Sequence, residues 1–195
     1  MSVPAKKPRA TYQDLVRVPE PRVAEILEGE LVVSPRPAGR HAVAAAMLAG
    51  HLAPLYIGGP SSPPGWWILS EPELHLNEPE DVAVPDLCGW RRERLPRPPA
   101  GVEFRVSPDW VCEVLSPATE RVDRSRKLRI YVRAGVSHVW LLNPVERLLE
   151  VLRRDGERWM LVGACSGDEV VTVEPFADIP LPLGDLWLDS TSDLL

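Results

Sequence analysis

The segment that most constrains the fold is residues 110–144, WVCEVLSPATERVDRSRKLRIYVRAGVSHVWLLNP. It reads as strand, turn, helix, turn, strand. It also sets one acidic residue, Glu113, among the apolar neighbours Val111, Cys112, Val114 and Leu115. Upstream, residues 81–90 (DVAVPDLCGW) do the same with Asp86. A carboxylate on a buried strand is costly unless it is paired or holds a cation. Two of them on separate strands, the second followed by a basic helix, point to a divalent-metal site.

Length and composition fit one domain. A chain of 195 residues, 45% hydrophobic and 26% charged, can bury a sizeable core. Residues 1–10 read as a flexible basic tail carrying Lys6, Lys7 and Arg9, residues 11–188 as the domain, and 189–195 as a C-terminal tail. No apolar run reaches the length of a membrane-spanning helix. The start of the chain lacks the apolar core of an export signal, so a cytoplasmic, membrane-free protein is expected. The three cysteines, Cys88, Cys112 and Cys165, show no CxxC spacing and read as small apolar residues of a reduced protein. The net charge of −6 argues against a strong non-specific nucleic-acid binder, though an acidic average can hide one basic face.

Along the chain, residues 11–18 predict a short helix capped by Thr11 and stopped by Pro19 and Pro21. Residues 24–33 predict a hairpin turning at Glu28-Gly29. Residues 41–57, Ala- and Leu-rich and apolar nearly all round, predict a buried core helix that Pro54 kinks or ends. Residues 66–76 predict one strand, or a pair broken near Pro72. Strands are expected at 82–90 and 109–115, with a Pro/Arg-rich connection between them. A helix is expected at 119–134, with Thr119 as N-cap and Gly135 just past its end. A strand at 136–142 and antiparallel strands between 148 and 188 complete an α/β or α+β sheet domain. The seven tryptophans lie mostly in strand-like contexts and read as core anchors.

These residues carry a family pattern. Ile26-Leu27-Glu28-Gly29-Glu30-Leu31-Val32-Val33-Ser34-Pro35 is followed by His41 at the head of a helix. Then come Val84-Pro85-Asp86, Glu113-Val114-Leu115-Ser116-Pro117, the spaced Asp123, Lys127 and Tyr131, Ala134-Gly135-Val136, and Val139-Trp140-Leu141-Leu142-Asn143-Pro144. In this the chain resembles the Uma2 family of restriction-endonuclease-like proteins, over nearly its whole length. The family's usual Asp is Asn143 here. The resemblance implies the PD-(D/E)xK nuclease fold: a mixed central sheet flanked by helices, here with an added antiparallel strand meander, and carboxylates on two neighbouring central strands. That superfamily usually has Lys two residues after the second carboxylate. Leu115 stands there, and the family pattern moves the basic role to Lys127.

The reaction implied is Mg²⁺- or Mn²⁺-dependent hydrolysis of DNA phosphodiester bonds, with no organic cofactor. Such a cation takes hard oxygen ligands and activates water. Asp86, Glu113 and the backbone carbonyl of Val114 are the expected ligands, with Lys127 steadying negative charge. His41 and Glu30 are auxiliary candidates. Glu71 and Glu73, flanking Pro72, are weaker ones. Arg91, Arg92, Arg124 and Arg126 are candidate phosphate contacts. Each assignment has a plainer rival: a turn Asp for Asp86, a structural ion pair for Glu113, an exposed i,i+4 pair with Asp123 for Lys127, and solvated arginines. The alternative for the whole chain is a catalytically inactive member of the fold, binding nucleic acid or protein as a homodimer.

Overall fold

The computed structural model describes residues 8–36, 39–57, 65–77 and 80–187. The start of the basic tail, the stretch 58–64 and the C-terminal tail lie outside them.

The first helix, α1 (Tyr12–Val16), starts at a reciprocal capping box in which Thr11 and Asp14 satisfy each other's backbone N–H. The hairpin is β1 (Val23–Leu27) and β2 (Glu30–Ser34). Glu28 and Gly29 turn it at φ 54° and 84°, the two left-handed positions that a two-residue turn needs. The Ala-rich helix is α2 (Gly39–Leu52), and Pro54 opens a separate turn, α3 (Pro54–Ile57). Its burial differs from expectation. Only the stripe His41, Ala44, Leu48 and Leu52 is buried, and Met47 is exposed. Small alanines face water at little cost, so an apolar composition did not require an all-round core position.

The strands expected at 66–76 and 82–90 each divide between two sheets: β3 (Trp66–Ser70) and β4 (Glu73–Leu76), then β5 (Asp81–Ala83) and β6 (Leu87–Arg91). The second break falls at Val84-Pro85-Asp86. Pro85 has no N–H for a ladder, and the Val84 N–H donates to Glu25 Oε1 at 2.8 Å instead. The Pro/Arg connection contains a strand not foreseen, β7 (Glu103–Phe104), parallel to β4. Next come β8 (Trp110–Val114), α4 (Glu120–Val122), a π-helical turn (Asp123–Lys127) and α5 (Leu128–Arg133). The last three form one continuous helical segment. Thr119 makes no side-chain cap. The C-terminus is a Schellman motif on Gly135 (φ 80°), with Val136 N–H donating to Tyr131 O and Gly135 N–H to Val132 O. β9 (His138–Asn143), β10 (Leu148–Asp155) and β11 (Arg158–Ser166) follow. The expected strands after them shrink to the two-residue pair β12 (Val170–Val171) and β13 (Leu181–Pro182), then a 3₁₀ turn (Leu183–Leu186).

Among the described residues the strands form two mixed sheets, ordered β2-β1-β5-β4-β7 and β11-β10-β9-β8-β6-β3, and the separate antiparallel pair β12-β13. The expected antiparallel meander is β9-β10-β11, and β10 and β11 extend the larger sheet. The helical segment between β8 and β9 makes them a parallel pair, as a crossover of that length requires. Along β8 the side chains alternate between two cores. Trp110, Cys112 and Val114 join the α2 side, where Trp110, Trp140 and Phe176 pack edge to face. Val111 and Leu115 join the side of α5, with Cys88, Ile130 and Tyr131. Glu113 has the parity of Val111 and Leu115, and Asp86 that of Cys88. Strand alternation thus turns both carboxylates toward the helical segment at 120–133.

Candidate active site

Asp86 lies one position beyond the Leu87–Cys112 pair, beside Glu113 on the neighbouring strand. The Val114 N–H donates to Asp86 Oδ2 at 2.7 Å, and His41 Nε2 stands 3.1 Å from Oδ1. His41 comes from the first turn of α2, so this helix reaches the Asp86 carboxylate. Glu113 is 2% exposed. Its Oε1 accepts from the Tyr131 hydroxyl, and its Oε2 lies 3.1 Å from Lys127 Nζ.

Lys127 gathers more than Glu113. Its ammonium also stands 3.1 Å from Glu25 Oε1 and 3.4 Å from Asp123 Oδ1, all on buried side chains. Three carboxylates, those of Glu25, Glu113 and Asp123, therefore contact one lysine, and a fourth, Asp86, lies beside Glu113. Burial works against the Lys127 charge, but Glu113, Glu25, Asp123 and Asp86 outweigh it and hold the ammonium well above the usual lysine range. Burial pushes the Glu113 carboxyl well above the carboxylate range. Lys127 opposes that shift, and Asp123, Asp86 and Glu25 add to it. Burial also raises Asp123, against Lys127 and a Thr119 hydrogen bond. The cluster holds more negative charge than its own lysine neutralises.

These groups floor a cleft of about 270 Å³, walled by Ser34, Pro35 and Arg36 on one side and Ser116, Pro117, Ala118 and Thr119 on the other. The donor set suits a hard dication, since it is all carboxylate oxygen. As they stand, the side chains are committed to Lys127, Tyr131 and His41. Among the described residues no three His, Cys, Asp or Glu side chains are spaced to hold an ion.

The structure thus brings together Asp86, Glu113, Lys127 and His41 of the sequence candidates. Glu30 is elsewhere: exposed, near the hairpin turn, and paired with Arg126 at 2.6 Å. Arg124 is paired with Glu120 and Glu150. Arg91 and Arg92 lie over the Trp66 and Trp67 rings, at and just past the end of β6 remote from Asp86. None of these four arginines lines the cleft. The Lys127–Asp123 pair exists, but buried. Two participants were missed, Glu25 and Tyr131. Glu25 gives the same signal as Glu113, an acid within an apolar strand. Tyr131 follows Asp123 and Lys127 at intervals of four on one helical face.

The sequence pattern of the Uma2 family, described as "Putative restriction endonuclease", matches residues 9–184. The chain belongs to the Uma2 family. No curated relative matches it. Among solved structures, it is similar to a protein from Anabaena variabilis ATCC 29413, described as a putative nuclease belonging to DUF820 and determined at 1.96 Å. The TM-score is 0.67 at 23% identity, covering 91% of this chain and 97% of the other. At that identity the likeness establishes the fold. Leu115, where the PD-(D/E)xK resemblance leads one to expect Lys, is buried, 2% exposed on the same face as Glu113. A lysine there would compete with Lys127 for the same carboxylate.

Proposed function

We propose that this Uma2 protein is a cytoplasmic, divalent-metal-dependent nuclease that hydrolyses DNA phosphodiester bonds in the Asp86–Glu113 cleft. The observation that carries this reading is the charge imbalance: three carboxylates on one buried lysine, with Asp86 beside Glu113, in one cleft. Asp86 and Glu113 are the proposed ligands, with the Val114 carbonyl, and Glu25 and Asp123 are the nearest further carboxylates. Bound Mg²⁺ or Mn²⁺ would supply Lewis acidity and a more acidic water. The protein's own part is positional. Val114 N–H and His41 fix the two oxygens of Asp86. Tyr131 fixes Glu113. Lys127 stays charged beside the reacting phosphate and opposes its developing negative charge. The free cysteines suit a reducing compartment.

One observation favours the non-catalytic reading. Both Glu113 oxygens are already engaged, one by Lys127 and one by Tyr131. Calorimetric titration of Mg²⁺ and Mn²⁺, with and without DNA, separates the two. The wild type is expected to bind metal and cleave DNA, and Asp86→Ala and Glu113→Ala to do neither. Unchanged cleavage in both purified variants would sink the site.

A homodimer is also proposed, joined along β11, which pairs only with β10 among the described strands. Met160, Leu161 and Val162 are exposed on it. Antiparallel pairing with a second copy brings the Arg158 end of one strand to the Asp168 end of the other.

A further inference from the structure

The mouth of the cleft holds an unexplained pair. Among the described residues lining the cleft, five are acidic (Glu71 and the four already described), and only Arg36 and Lys127 carry a permanent positive charge. Lys127 is 6% exposed and spent on three carboxylates. Arg36 is different. Its side chain is 53% exposed, with Nε on the Pro21 carbonyl at 3.1 Å and Nη1 at 3.4 Å from Glu71 Oε2. That separation, between half-exposed groups, makes a weak and exchangeable ion pair. A guanidinium also matches the two oxygens of a phosphate better than an ammonium does.

Glu71 is built into the site. Its N–H donates to the Asp86 carbonyl at 3.1 Å, so the backbone of a proposed ligand carries it. It sits at φ 48°, where Gly or Asn is the unstrained choice. A glutamate held in strained backbone beside a candidate active site suggests that its side chain is used.

We propose that Arg36 is the phosphate-binding residue at the cleft mouth and that Glu71 occupies it until a nucleic-acid phosphate takes its place. The exchange replaces one anion by another on the same guanidinium and turns the freed Glu71 carboxylate, still anchored through its backbone, out to solvent. Glu71 then screens out weakly bound anions, and a polyanion able to make further contacts displaces it. This rests on the nuclease reading above.

The test is fluorescence anisotropy of a labelled DNA oligonucleotide with the full chain, in Ca²⁺ buffer, over a salt series. Arg36→Ala is expected to weaken binding and to flatten the slope of log affinity against log salt by about 0.7–0.9, the loss of one phosphate contact. Arg36→Lys should keep the slope. Glu71→Gln should tighten binding roughly two- to fivefold, the range that an exposed pair of this kind spans. Arg17→Ala, an exposed arginine outside the cleft, should match the wild type. A wild-type slope in Arg36→Ala, or an equal drop in Arg17→Ala, would overturn the phosphate role. Unchanged affinity in Glu71→Gln would overturn the gating role. A wild type that binds no DNA overturns the nuclease reading and this one with it. DNA binding that ignores Arg36 overturns this one alone.

Discussion

At the residue scale, the centre of this protein is a lysine that the fold cannot easily lose. Removing one partner of a buried ion pair leaves the others without compensation. Lys127→Met is therefore expected to lower the unfolding free energy by about 3–5 kcal/mol, read from urea midpoints at neutral pH. A drop under about 1 kcal/mol would mean that the carboxylates are relieved another way. Glu25→Gln tests the residue that sequence reading passed over. It keeps the shape and the Val84 contact, and cleavage should fall at least tenfold while the fold survives. Wild-type cleavage would leave Glu25 a purely structural partner.

At the element scale, the hairpin β1–β2 matters because it delivers Glu25, and its seat on the helical segment is electrostatic. Arg129 makes two hydrogen bonds to Glu28 in the hairpin turn, and Arg133 reaches both Glu28 and Asp81. Arg129's hydrogen bonding holds Glu28 below its ordinary pKa of 4.5, against burial, with Arg133 helping. A depressed carboxylate pKa means that the unfolded chain takes up the proton first. The contribution is thus complete above the unfolded value and disappears as pH falls through the lowered folded one. Glu28→Gln should cost roughly 1 kcal/mol at neutral pH, discounted for partial exposure, and less at an acid pH below the unfolded value. Equal midpoints for variant and wild type at both pH values would show that Arg129 and Arg133 do not hold the hairpin.

At the scale of the whole molecule, two sheets close on one cleft, and a cation there should stabilise the entire fold. If Mg²⁺ binds the native state alone, saturating metal at a hundred times its dissociation constant adds about 2.7 kcal/mol. The melting temperature of the wild type should climb with Mg²⁺ and that of Glu113→Ala should not; parallel rises would place the ion elsewhere. For the proposed β11 interface, Leu161→Lys should convert a dimer to a monomer in sedimentation, and a wild type already monomeric at high concentration rules that interface out. The sequence by itself determined the strand–helix–strand core, because apolar runs, a helical repeat and Gly135 each act within a few residues. It also determined that Asp86 and Glu113 needed a partner, because a charge in an apolar strand is costly wherever that strand packs. It did not determine that β5 and β6 part company at Pro85, that Glu25 rather than Glu30 joins the cluster, or that Arg124 and Arg126 are taken up by neighbouring acids. Those outcomes depend on contacts between residues tens of positions apart, such as Glu25 with Val84 and Lys127, and only the tertiary structure decided them.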